Sequence, residues 1–416
     1  MKNAMLAFIL SLSACICARA NSIGLVPLHD FTGADGESSI GPLLADQSTA
    51  GVYYGTASSG GSAGEGTLFK VVVTGDRTAP STTYTVLHNF DDGSVTNDGR
   101  TPMGRLVQDS SGNVYGIAYL SYAYTTPTYA GVVYKYNSST GFQIIHRFAD
   151  GSVTNDGRYP AGGLVIDSSG TLYGTTTEGG AHGQGTIFKL VQSGGVWTET
   201  VLYHFTGGSS DGGSPYAAML MATDGKLYGT TQFGGANDSG TVFRFNLSTS
   251  TLNTICSPPA DNGAFGNGVA QVPLANSGGL LQFFGVTYFG GTSGMGVVYS
   301  LTETYSGSGV FGYSVVHNFS GGTNDGNLGS GELLFYTNST GSYFYGVTQY
   351  GGGNDEGTVY RIALNGNFLV LGTPWVIGQP VASLTVGSIG GTPVFMGTTL
   401  ADGSYGNGYV YEVYLQ

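Results

Sequence analysis

The sequence predicts an all-β fold, a seven-bladed β-propeller with four antiparallel strands per blade, and three observations carry that prediction. A two-part signature recurs seven times along the chain, and each recurrence but the last contains four strand-like runs. The segment that follows the leader and the last segment of the chain read as strands of one and the same unit.

The signature opens with a bulky apolar residue followed by Gly: Tyr54-Gly55, Tyr115-Gly116, Tyr173-Gly174, Tyr228-Gly229, Phe284-Gly285, Tyr345-Gly346 and Met396-Gly397. It closes with Gly-x-x-aromatic, which pairs Gly66 with Phe69, Gly131 with Tyr134, Gly185 with Phe188, Gly240 with Phe243, Gly296 with Tyr299, Gly357 with Tyr360 and Gly408 with Tyr411. The two marker glycines stand eleven residues apart in six copies and fifteen in the second. Low-complexity sequence would not hold that register. A unit of about 57 residues with four short strands suits a propeller blade, whereas β-helix coils are shorter and leucine-rich solenoids carry a different leucine pattern.

In the third unit the four runs are Gly163–Asp167, Thr171–Thr176, Thr186–Val191 and Trp197–Phe205, labelled A to D from the axis outward. The A–B connection reads as a tight hairpin in Asp109-Ser110-Ser111-Gly112, Asp167-Ser168-Ser169-Gly170 and Asp224-Gly225. There Asp caps its own turn and Gly takes the positive φ that ends it. The Gly after the B-strand aromatic predicts close approach of a neighbouring backbone.

Closure follows from the two ends. Ile23–Phe31 (IGLVPLHDF) matches a D strand such as Thr85–Phe90, and Gly408–Tyr414 matches a C strand. The last unit supplies A (Val381–Val386), B (Val394–Thr399) and C but no D, so the N-terminal segment is expected to complete it. Such a clasp hides the two edges of an open sheet.

Composition agrees. With 73 Gly, 12% aromatic and only 9% charged residues, the chain is too apolar for disorder and suits short strands joined by turns. Residues 1–20 read as a secretory signal: Lys2, an apolar run from Ala4 to Cys17, and Ala18-Arg19-Ala20 as the cleavage site. Residues 21–416 are then one exported propeller domain. The alternative is a lipobox at Leu12-Ser13-Ala14-Cys15, with a lipid anchor on Cys15.

Cleavage leaves Cys256 alone, so no internal disulfide is expected, and its apolar strand makes it a buried small hydrophobe. The formal charge is −13 before Lys2 and Arg19 are lost. Nucleic acid and anionic membranes are therefore not expected as partners. No segment after the leader is long enough to span a membrane, and a monomer is expected.

At Leu172–Lys189 (LYGTTTEGGAHGQGTIFK) and Leu227–Arg244 (LYGTTQFGGANDSGTVFR) the unit resembles the Gloeobacter–Verrucomicrobia (GloVer) tandem repeat of secreted or surface-anchored bacterial proteins. The resemblance covers essentially all of the mature chain, with the second, fifth and seventh units degenerate. It implies a propeller and export. It implies no reaction and brings no catalytic residues. The chain stops at Gln416 directly after a strand, without a sorting helix, so release is expected rather than wall anchoring.

Several residue sets are candidates for chemistry. His29, His88, His146, His204 and His317 lie just before the Phe that ends a D strand, and Asp35, Asp98, Asp156, Asp211 and Asp325 follow. A His–Asp pair suits general-base work. Recurrence in five units instead reads as a brace, comparable to that of WD-repeat propellers, and no residue is assigned a catalytic role.

The loops Asp91–Gly99 and Asp150–Gly157 make Asp91, Asp98, Asp150 and Asp156 candidate Ca²⁺ ligands, against turn capping as the default. No other cofactor is expected. Gly-Gly loops joining B to C are not phosphate cradles, since no Lys-Ser/Thr or helix follows. They should share one rim with the Asp-Gly loops, and that rim is the expected ligand face.

In the second unit a longer loop, Tyr119–Ala130, carries Tyr119, Tyr122, Tyr124 and Tyr129, a recognition-type cluster. Glu178 and Glu356 sit in B–C loops and could face each other, while Glu303 and Glu332 fall at unrelated positions. Only Arg100 and Arg158 lie in loops on that face. The expected function is a secreted, non-enzymatic propeller presenting a binding or scaffolding face to a glycan or protein. The alternative is a carbohydrate-active hydrolase or lyase. A hydrolase requires two carboxylates roughly 5–10 Å apart in one cleft, a binder an aromatic patch without them.

Overall fold

The computed structural model describes residues 23–76, 79–120, 130–259, 261, 263, 266–372 and 378–415. The leader with Cys15, and the loop tyrosines Tyr122, Tyr124 and Tyr129, lie outside these residues.

The described residues are all-β and form seven four-stranded antiparallel units in chain order. The third unit runs Gly157–Ile166, Leu172–Gly179, Thr186–Ser193 and Val196–His204, so each expected run is present, three of them longer than expected. Blades 2 and 3 join into one eight-stranded sheet through a single parallel bridge, Gly163 to Arg105. The last blade pairs Thr385–Ile389, Thr392–Thr398 and Tyr409–Leu415 with Ile23–Asp30 as its outer strand. Its register runs from Ile23 opposite Leu415 to Asp30 opposite Tyr409, and the Phe31 amide donates to the Gly408 carbonyl at 3.0 Å. The N-terminal strand closes the ring.

The two halves of the signature are cross-strand partners. Gly55 stands opposite Phe69, Gly116 opposite Tyr134 and Gly174 opposite Phe188, and the same pairing recurs in the other four blades. A Cβ on any of these glycines would sit on the partner's ring. The B-strand glycine therefore makes room for an aromatic ring of its own blade, not for a neighbouring backbone as its pattern suggested.

The second marker glycine has a different task. At Gly66, Gly131, Gly185 and Gly357 an added Cβ would meet the proline of the following blade, respectively Pro102, Pro160, Pro215 and Pro380. The residue before each proline adopts a left-handed φ of 51–60°, and so do Ser38 and Leu328, which are followed by Ser39 and Gly329 instead of proline. Each of these six donates its amide to the preceding blade, as Thr101 does to the Glu65 carbonyl at 2.9 Å and Tyr159 to that of Ala130 at 2.7 Å. Such backbone strain persists only where the surroundings over-determine it. Here the amide bond and the proline contact fix it.

The core is divided between adjacent blades. Leu68 and Phe90 of blade 1 pack on Leu106, Val114 and Tyr134 of blade 2, all at most 2% exposed. The A–B turns are capped as expected, with Asp167 Oδ1 accepting the amides of Ser169 and Thr171. Its other oxygen accepts the Tyr173 hydroxyl at 3.0 Å, tying the turn to the B-strand aromatic. Among the described residues no helix is long and apolar enough to cross a membrane.

Candidate functional site

Small residues at the start of each A strand let the blades meet around the axis. A Cβ on Gly41 would lie 2.6 Å from the Gly104 carbonyl oxygen, and one on Gly104 2.6 Å from that of Ala161. This is where backbone approaches backbone. The residue just before the first buried apolar position of the strand then faces the axis, and Pro42, Arg105, Ala218, Gly268, Glu332 and Ser383 line a central cavity of about 580 Å³.

Two of these residues are charged. The Arg105 guanidinium pairs with the Glu332 carboxylate from blade 2 to blade 6, and Arg105 Nη1 also reaches the Met219 carbonyl at 3.5 Å. Burial pulls the Arg105 pKa down to about 10, so it stays charged at neutral pH. The Glu332 amide donates to Ser383 Oγ at 2.6 Å, which anchors the carboxylate's backbone. The pair neutralises itself.

Part of the cavity lining is aromatic. It comes from residues at or near the ends of the second strands, among them Gln232-Phe233, Tyr288-Phe289 and Gln349. Phe233 is 55% exposed and Phe289 57%, although both are large apolar rings. Tyr216 joins them from the loop before blade 4. The Tyr288 hydroxyl donates to Gln349 Oε1, and Gln349 Nε2 donates in turn to Gln379 Oε1 at 3.4 Å. Exposed rings, amide side chains and one self-neutralised ion pair make a site for a ligand with apolar faces and hydroxyl edges. Among the described residues, Arg105 and Glu332 are the charged side chains of this lining.

The residues singled out from sequence fall as follows. Tyr119 is half-buried against Tyr159, ring centroids 5.5 Å apart, and does not line the cavity. Glu178 takes the register position that Phe233 and Phe289 hold in their blades, but neither it nor Glu356 lines the cavity. The Glu356 carbonyl accepts the Gln379 amide at 3.1 Å and so belongs to the inter-blade link. Phe233, Phe289, Arg105 and Glu332 carried a signal that unit-by-unit alignment exposes: aromatics directly before a Gly-Gly loop, and charges at one register position of the A strand.

The expected common rim is present. Gly180, Gly235 and Gly352 of the B–C loops donate their amides to the carbonyls of Asp156, Asp211 and Asp325 in the D–A loops. The candidate Ca²⁺ ligands there are largely committed. Asp91 pairs with Arg100 at 2.5 Å, and fully buried Asp98 accepts from His88 and the Asp91 amide. Asp150 caps the Ser152 amide, and Asp156 accepts the amides of Ala149 and Gly157.

Three of the five repeat histidines brace the loop aspartate, and the other two, His146 and His204, do not. His29–Asp35, His88–Asp98 and His317–Asp325 make contacts of 2.9, 2.6 and 3.2 Å. His204 stands one residue closer to its Phe and points the other way, so the Tyr203 hydroxyl bonds Asp211 at 3.0 Å instead. The period of two along a strand decides which side chain faces the aspartate. Cys256 is half-buried, and burial pushes its thiol up to about 11, which makes it unreactive. His146, Asp156 and Glu199 come together at the seam of blades 2 and 3, the one such cluster of possible metal ligands among the described residues.

Comparison with known proteins bears on family and fold. A model of the Gloeobacter/Verrucomicrobia repeat matches residues 18–165, 77–280 and 119–338. No curated protein matches the chain. Among solved structures, the BP39L lectin from Burkholderia pseudomallei superposes with a TM-score of 0.56 at 10% identity, covering 90% of this chain and 96% of that one. A streptogramin B lyase gives 0.53 at 14% identity, covering 95% and 98%. The polysaccharide lyase Uly1 gives 0.50 at 12% identity, covering 95% and 99%. At such identities the likeness is one of fold, the β-propeller.

Proposed function

Because the chain belongs to the Gloeobacter/Verrucomicrobia repeat family, whose repeat serves here as a blade, we propose that it is an exported, non-enzymatic propeller that holds an uncharged glycan in its axial cavity. The same fold carries a lectin and two lyases, so the site has to decide between binding and catalysis. One observation carries the reading. The cavity is lined by exposed aromatic rings and amides, while the one carboxylate of the lining among the described residues, Glu332, is tied to Arg105.

Hydrolysis of a glycosidic bond by the usual route takes two carboxylates flanking the scissile bond. Stacking of a sugar's C–H face on Phe233 or Phe289, with hydroxyls bonded by Gln232 and Gln349, takes none. The net charge of −13 further disfavours acidic polymers. Export rests on the leader at residues 1–20.

The test is a panel of glycans and cell-wall polymers, assayed for retention on the protein and for new reducing ends or unsaturated products, with and without Ca²⁺. Retention of uncharged polymers without turnover is the expected result. Turnover would place the chain among the carbohydrate-active enzymes, and neither retention nor turnover would remove both readings.

A further inference from the structure

One seam between blades departs from three that share its histidine. In three seams an imidazole of one blade lies flat on a ring of the next: His29 on Tyr84, His88 on Phe142 and His317 on Phe368, with centroids 3.8, 3.6 and 3.7 Å apart. The ring residue always stands opposite the position two beyond the C-strand marker aromatic, as Tyr84 opposite Val71, Phe142 opposite Tyr136 and Phe368 opposite Ile362. At that register in blade 3, opposite Leu190, stands Glu199. His146 of blade 2 therefore meets a carboxylate where its counterparts meet a ring.

The resulting cluster is closed and unsatisfied. His146 Nε2 lies 3.5 Å from Glu199 Oε2 and 3.7 Å from Asp156 Oδ2, and the side chains of the three are 8%, 0% and 4% exposed. Neither Glu199 oxygen has a hydrogen-bond donor among the described residues, and His146 Nε2 has no partner at bonding distance. An uncompensated buried carboxylate costs several kcal/mol. A positive charge has to enter this seam as a proton or as a cation.

We propose that His146, Asp156 and Glu199 hold one divalent transition-metal ion of the Zn²⁺ class, which staples blade 2 to blade 3 where three other seams use a ring stack. Zinc bonds of roughly 2.0–2.2 Å at tetrahedral angles put neighbouring ligand atoms about 3.4 Å apart, close to the two spacings found. An imidazole nitrogen among the ligands selects zinc-like ions over Ca²⁺ and Mg²⁺, which take oxygen. Asp156 is already oriented by the amides of Ala149 and Gly157, the kind of outer support that metal-ligating carboxylates have. The fourth position is left to a water. The site lies in the outer-strand seam, apart from the axial cavity, and stands independently of the glycan reading.

The test uses the untagged chain produced in medium supplemented with Zn²⁺ or Co²⁺, desalted, and measured for metal by plasma mass spectrometry and visible absorption. One equivalent per chain and a cobalt ligand-field band are expected for the parent. Glu199→Gln should lose the band and at least nine-tenths of the metal. Glu199→Phe, which restores the ring of the sister seams, should bind no metal and remain folded with a Tm insensitive to chelator, while the parent's Tm falls on chelation. Metal-free parent protein with a chelator-insensitive Tm would overturn the proposal in favour of a proton shared between Asp156 and Glu199. Retention of the full equivalent by Glu199→Phe would overturn it as well.

Discussion

Gly174 and Phe188 face one another across the second and third strands of blade 3, and the Phe188 ring fills the volume that a Cβ on Gly174 would need. That contact is the unit from which the fold is built, because all seven blades repeat it. The register between B and C strands is thereby fixed by sequence, since a slip of one residue would set the ring against a side chain.

Gly174→Ala should accordingly destabilise the protein by about 1–3 kcal/mol, the usual cost of overpacking a filled core. Gly208→Ala, at an exposed position whose nearest neighbour is the Thr206 hydroxyl 4.0 Å away, should fall within about 0.5 kcal/mol of the parent. Chemical denaturation of the two variants makes the comparison.

The His–Asp contacts make a second contrast. His88→Ala strips a partner from fully buried Asp98 and should cost about 3 kcal/mol, as loss of one side of a buried pair does. His204→Ala removes a histidine that bonds no aspartate and should cost under about 1 kcal/mol. Neither should alter ligand retention, which separates a brace from a functional dyad.

Much of this architecture is legible in the sequence because it repeats. The Tyr173-Gly174 and Gly185-x-x-Phe188 markers predict strands, and Ile23–Phe31 can be recognised as a displaced outer strand because its pattern matches Thr85–Phe90. The site is less legible because it is made of exceptions. Phe233, Phe289, Arg105 and Glu332 each depart from their counterparts by one side chain, and nothing in a single unit says which departures face the axis. Glu199 is harder still, since its meaning depends on His146 in the neighbouring blade. The longer Tyr119–Ala130 loop drew notice by length alone, and of its tyrosines only Tyr119 falls among the described residues, packed on Tyr159.

Acid should weaken the blades through their turns. Burial resists ionisation of Asp46, but bonds from Gln108 and Ser48 outweigh it and hold its pKa at about 2. Asp109, Asp167 and Asp325 are likewise lowered, against burial, by donors in their own turns and by His317. A carboxyl depressed below its unfolded value of about 3.9 stabilises the fold above that pH and loses the contribution as pH falls through the folded value. The Tm should therefore drop most steeply between about pH 4 and pH 2. Asp46→Asn and Asp167→Asn should flatten that slope in a thermal melt series.

Closure of the ring can be tested at Phe31, which is fully buried beside Phe69 and Tyr84 of the first blade. Phe31→Ala should cost about 3–5 kcal/mol, as for other large core rings. Removal of residues 23–31 should leave an unpaired edge at Tyr409–Leu415 and yield aggregated protein by light scattering.

In the proposed glycan site the ion pair at the axis is expected to set charge selectivity. Glu332→Gln leaves Arg105 without its carboxylate in the cavity, so acidic oligosaccharides should gain at least tenfold in affinity while uncharged ones change by under threefold. Isothermal titration with matched acidic and neutral sugars reads the difference.

The most direct measurement is calorimetric titration of the best-retained uncharged oligosaccharide into the parent and into Phe233→Ala/Phe289→Ala, with Tm recorded for both. The account predicts at least a tenfold loss of affinity, about 1.4 kcal/mol, with the Tm of the unliganded protein unchanged. Equal affinity in the two proteins would contradict it, because the sugar would then be bound away from the aromatic lining of the axial cavity.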